Sequence, residues 1–198
     1  MKDYYALPQE EKDALVQKAY DEAHRTESLY GNCMQSVLNG LYLTFPDMGL
    51  TPEMIKAGFG LAGGCGCCLE GTCGALNAVA FCISLFKGRT IDDWTGAYDP
   101  VHAKIREFVE IFRQKYEGIL CSQVLTHNMG AVYDWKTPEG LKAYNDHDGT
   151  PKDAEVVGYC ASYVAKLIVD GELKYNLCGF EQRKKYNSQG DNDVPLFP

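Results

Sequence analysis

Residues 58–74, GFGLAGGCGCCLEGTCG, hold seven glycines and four cysteines and interrupt a chain that otherwise reads as one helix after another. Each glycine costs a helix or strand about 1 kcal/mol relative to alanine, so this stretch must be a loop. The loop is bracketed by segments whose apolar residues recur at helical spacing. Met34, Val37, Leu38, Leu41, Tyr42 and Phe45 share one face, and Ala75, Val79, Cys82, Ile83 and Phe86 another. Val101, Ile105, Phe108, Val109, Phe112 and Tyr116 form a third stripe; Val156, Val157, Cys160, Val164, Leu167 and Ile168 form a fourth. Residues 9–28 predict a weaker first helix.

The starts of these segments are marked as well. Thr51-Pro52, Asp99-Pro100 and Thr150-Pro151 each place a capping side chain before a proline, and Thr137-Pro138-Glu139 repeats the pattern. No stretch alternates with the period of two that a half-buried strand requires. The expected fold is therefore all-α, an antiparallel helical bundle carrying a Gly/Cys-rich loop. One helical domain is expected over residues 1–178, followed by an extended polar tail over 179–198.

Charge narrows the partners. Nineteen Lys and Arg stand against 27 Asp and Glu, for a net charge of −8. Nucleic-acid backbones and anionic membranes repel such a surface, and the one basic cluster, Arg183-Lys184-Lys185, falls in the polar tail. The opening MKDYYALPQEEKDALVQK has acids where an export signal needs an apolar stretch. The longest apolar run, Ala78 to Phe86, is too short to span a bilayer. A cytoplasmic location is the expectation. Nine cysteines in a reducing compartment are not accounted for by structural disulfides. Core packing explains some of them, and a metal, a cluster or redox chemistry must explain the rest.

Position selects the candidates. Cys33 opens the second helix and Cys73 the one after the loop. Cys121 follows the Val101–Tyr116 stripe, and Cys160 lies inside an apolar stripe that must face the interior. Four segments can thus each deliver a sulfur to one interior point. Residues 57–86 contain no Lys or Arg, so local stabilisation of thiolates falls to backbone N–H groups, a helix N-terminus or a bound metal. Taken singly, Cys160 reads as a small buried hydrophobe, and Cys82 as core. Cys178 belongs near the tail.

GNCMQSVL (31–38), TCGALNA (72–78), ILCSQVL (119–125) and GYCASYVAKLI (158–168) resemble the family of redox-active proteins named for its pattern C…GCAxxG…C…C. The resemblance covers about residues 30–170 and places the signature cysteines on Cys33, Cys73, Cys121 and Cys160. The pattern's last glycine is Ala78 here, and its opening reads Cys73-Gly74-Ala75. A related domain in split-Soret cytochrome c associates its cysteines with an iron–sulfur site. The resemblance therefore implies a redox role and a [2Fe–2S] or [4Fe–4S] cluster. No C-x-x-C-H occurs, so c-type haem attachment is not supported.

Cys65, Cys67 and Cys68 lie outside that signature. They are a second tier, lining or partly ligating the cluster. Glycines on both sides suggest a loop free to swing toward it, and a homodimer joining two such loops would add thiolates for a second cluster. Cys65, Cys68 and Cys73 form C-x2-C-x4-C, the reverse of the plant-type ferredoxin order. Gly58-x-Gly60-x-x-Gly63 matches a dinucleotide fingerprint in form only, lacking a preceding strand, a helix directly after it and an acid near position 80. His24, His102, His127 and His147 show no paired metal spacing, and a Cys121–His127 nucleophile pair is not singled out.

Three functions follow in order. The first is an electron-transfer protein, or an oxidoreductase, holding an iron–sulfur cluster and exchanging electrons with a partner protein or a small-molecule donor or acceptor. The second is a metal-free thiol–disulfide protein, cycling among Cys73, the CGCC cysteines and a partner. The third is a non-catalytic protein with structural zinc on four cysteines, for which the usual paired C-x2-C knuckles are missing.

Overall fold

A computed structural model of the chain describes residues 2–89 and 99–174. Cys178 and the expected 179–198 tail lie outside the described residues. The described part is all-α. Helix α1 (Gln9–Tyr30) ends where Gly31 and Asn32 adopt positive φ, 69° and 72°, and reverse the chain. Asn32 then caps α2 (Cys33–Thr44) by accepting the Gln35 N–H at 3.1 Å. A Cβ added at Gly40 would lie 2.6 Å from the Cβ of Ala23, and the Asn39 amide donates to Thr26 Oγ1 at 3.0 Å. Both pairs are nearly symmetric about the turn, so α1 and α2 run antiparallel with their backbones in close approach.

Thr51 caps α3 (Pro52–Ala57) as expected, accepting the Met54 N–H at 3.3 Å, and the chain continues as a 3-10 turn over Gly58–Leu61. Beyond the Gly/Cys loop come α4 (Gly74–Lys87), α5 (Asp99–Tyr116), α6 (Cys121–Met129), α7 (Pro138–Asp146) and α8 (Gly149–Val169). Thr137 caps α7 through the Gly140 N–H at 3.0 Å. The Thr150-Pro151 expectation is off by two residues. Asp148, in a left-handed conformation, precedes α8, and Thr150 and Pro151 lie within its first turn. Proline is tolerated there because its missing N–H has no partner in that turn anyway.

α8 packs along α1 and α2, while α4 packs against α2 and α8 and carries α5. Their apolar faces form the main core, including Val37, Leu38, Leu41, Val79, Ile83, Val157, Val164 and Ile168. Each such side chain contributes about 1.5–3 kcal/mol through removal from water. Phe108 of α5 closes one side, its ring 4.2 Å from that of Tyr163. A smaller apolar cluster stands apart: Leu69, Cys121, Leu125, Met129 and Tyr144, with Tyr133 and Trp135 packed on it. No strand forms among the described residues, and none of their helices is long and apolar enough to cross a membrane.

Candidate functional site

The Gly/Cys loop is not the freely swinging segment its glycines suggest. Residues 63–67 all have positive φ, from 57° to 72°, and Leu69 follows at 67°. Internal hydrogen bonds hold this coil: Gly66 N–H to Gly60 O at 2.7 Å, Leu69 N–H to Gly63 O at 2.9 Å and Gly71 N–H to Gly64 O at 3.1 Å. Glycine is required at Gly64, where φ is 72° and a Cβ would come within 2.9 Å of Gly71 backbone atoms. Cys65 and Cys67, which do have Cβ atoms, occupy a region that costs such residues about 1–3 kcal/mol.

The end of the loop is laced to the link between α5 and α6. Thr72 and Leu120 form an antiparallel bridge. The Cys73 N–H donates to Ile119 O at 2.8 Å, and the Cys121 and Ser122 N–H groups donate to Gly71 O and Leu69 O, both at 2.9 Å. This lacing brings Cys73, the residue preceding α4, beside Cys121, the first residue of α6. Cys33 is the first residue of α2. Three helix N-termini therefore converge at the sulfurs, each offering partial positive charge to an anion.

Cys33 and Cys73 are within hydrogen-bonding reach of each other through their side chains, and the Gly63 N–H points at the Cys33 sulfur. A Cβ on Gly74 would lie 2.6 Å from that sulfur, so only glycine fits directly after Cys73. Cys33, Cys67, Cys73 and Cys121 all line one cavity of about 500 Å³ between the main core and the smaller cluster. Cys160 is fully buried in α8 and does not line it, although it is near enough to Cys33 for their charges to interact. Cys65 and Cys68 are exposed and turned away from the cavity lining; the Cys68 thiol donates to Gly64 O at 2.6 Å. Cys82 is buried in α4, and burial alone raises its thiol pKa.

The surroundings of Cys33, Cys67, Cys121 and Cys160 favour the protonated thiol. The Cys73 hydrogen bond, burial and Glu27 push Cys33 well above the ordinary cysteine range, against the Gly63 N–H. Burial, then Cys33 and Asp153, raise Cys121; burial, then Cys33, raise Cys160. Burial, Cys33 and Cys68 raise Cys67, with Lys136 pulling the other way. None of these four has the lowered pKa that a thiol nucleophile needs, although Cys67 is exposed.

Sequence reasoning missed two carboxyls in the same cavity. Glu27, near the end of α1, is only 7% exposed, and its Oε2 has no hydrogen-bond partner. Burial raises its pKa to about 7, with Ser36 lowering it and Asp153 raising it. Asp153 of α8 accepts the Tyr144 hydroxyl at 2.8 Å, and burial raises its pKa to about 6 against that hydrogen bond. The one signal in sequence was Glu27's position on the apolar side of a weakly amphipathic helix, five residues before Asn32.

Among the described residues no three His, Cys, Asp or Glu side chains converge closely enough to hold one metal ion. In a [4Fe–4S] cluster each thiolate binds a different iron, whereas in a [2Fe–2S] cluster two thiolates share each iron, and the all-cysteine donor set suits either.

A sequence profile described as "Putative redox-active protein (C_GCAxxG_C_C)" matches residues 31–169, well over half of the chain. No curated protein and no solved structure gives a significant match.

Proposed function

From the premise that the chain belongs to the C_GCAxxG_C_C family of redox-active proteins, we propose that its cysteines hold an iron–sulfur cluster and that the protein passes electrons. The observation that carries this reading is the convergence of Cys33, Cys73 and Cys121, each at a helix N-terminus, on one cavity wall. Cys160, behind Cys33, is the fourth ligand, and Cys67 lines the cavity beside them. When bound, the cluster supplies one-electron chemistry. The residues here supply the rest: the helix N-termini and the Gly63 N–H stabilise thiolate charge, and the apolar walls limit water. Protonated thiols give up their protons on ligation, so cluster loading falls as pH drops. Tyr30 and Phe59, 80% and 66% exposed at the cavity lining, give a donor or acceptor its approach.

Protein purified without oxygen should be brown and carry iron with acid-labile sulfide. Colourless protein with every thiol free to titrate after reconstitution would end the cluster reading. The Cys33–Cys73 contact favours one other function, a dithiol closing to a disulfide with release of two protons and two electrons to a two-electron acceptor. That outcome would leave the protein iron-free and remove two thiols per chain on oxidation.

A further inference from the structure

Electron transfer alone has no use for the carboxyls of this cavity. Glu27 is more than nine-tenths buried with Oε2 unpartnered, and Asp153 is close enough for the two charges to interact. The Trp135 indole Nε1, in the same lining, is buried and also has no partner. Among the described residues, no Lys, Arg or His lines the space. A buried carboxylate without a counter-charge is costly, and proteins ordinarily pair it. At about 500 Å³ the cavity is within the range of small-molecule sites. Part of its wall, Val124, Leu125, Val156 and Val157, is apolar and accepts a nonpolar body but no charge.

We propose that this cavity binds a small organic cation, an amine, amidine or guanidine on an apolar body, with its charged head on Glu27 and Asp153 and its body against the apolar wall beside the cysteines. The proposal deepens the redox reading by naming a substrate class for the same site, and the binding itself requires no cluster. The net charge of −8 favours the approach of such a molecule and disfavours anions. Two carboxyls from different helices, α1 and α8, can grip one head group from two sides, which a single surface acid cannot do.

Three planar probes of one shape and different charge test it: benzamidine, benzamide and benzoate. Each is titrated into the anaerobically purified chain while the indole N–H resonance of Trp135 is followed, assigned with Trp135→Phe. Benzamidine should bind about tenfold or more tighter than the other two. Glu27→Gln and Asp153→Asn should each remove most of that preference, whereas Asp21→Asn, on the exposed side of α1, should leave it intact. Equal binding of benzamide would mean that a protonated carboxyl acts as a donor, and would overturn the proposal. So would equal binding of benzoate, or no response to any probe. Iron measured on the same samples separates the two readings. Iron-free protein that still prefers benzamidine keeps this proposal and loses the cluster, while iron-loaded protein without the preference loses this proposal alone.

Discussion

Cys82 and Cys33 lie on neighbouring packed helices, yet their surroundings follow opposite rules. Around Cys82, in the core shared by α2, α4 and α8, every neighbour is there to exclude water, and burial is the sole influence on the thiol. Around Cys33 the chain gathers a second thiol, an aimed backbone N–H, two carboxyls and an unpartnered indole N–H beside a cavity. The first region is what a stable fold looks like, with polar groups satisfied or absent. The second leaves buried polar atoms unpaired, which a fold tolerates where binding or chemistry repays it. The contrast separates a fully buried cysteine that only packs from a half-buried one that lines a cavity.

The sharpest way to break this contrast is a pair of serine substitutions. Cys33→Ser or Cys73→Ser should remove nearly all cluster iron while the protein stays folded. Cys82→Ser should retain the iron and cost about 1–2 kcal/mol for a buried hydroxyl, read by urea unfolding. Similar iron loss in both would erase the distinction.

The carboxyls provide the next largest effect. Glu27 has its pKa raised on folding, from an ordinary carboxyl value to about 7, so the native state holds the proton where the unfolded chain has lost it. Its contribution is present at low pH and is lost as pH rises from about 4.5 to about 7. Relative to Glu27→Gln, the wild-type chain should lose up to about 3 kcal/mol over that window and level off above it. Asp153, facing Glu27 from α8, titrates with the same sign and should remain in the variant. Parallel stability curves for the two proteins would show that Glu27 is not desolvated.

Main-core packing has a probe of its own. Gly40→Ala inserts a Cβ 2.6 Å from both the Cβ and the backbone nitrogen of Ala23, so α1 and α2 must part. The expected loss is about 2 kcal/mol with cluster iron unchanged. A neutral effect would mean the helices are less closely apposed than their geometry implies, while loss of iron would tie the core to the site.

Much of the fold was legible because helical periodicity and capping are local. The stripes beginning at Met34, Ala75, Val101 and Val156 each became a helix, and Thr51 and Thr137 became caps. Helix α6 was not legible: nine residues, Cys121–Met129, are too short for a clear apolar period, and its start depends on lacing to the loop. The N-terminal setting of Cys121 was hidden with it. The loop's ordered coil was hidden too, since glycine permits many conformations and only distant hydrogen bonds choose one.

The sequence by itself determined the helical class, the loop, and that Cys33 and Cys73 stand near helix starts, because these depend on residues a few positions apart. The tertiary structure alone decided that Cys33 meets Cys73, that Cys67 faces the cavity while Cys65 and Cys68 do not, and that Glu27 and Asp153 share that space. Those facts join residues as much as 126 positions apart. Burial and charge there depend on what packs across the gap, and no local pattern records it.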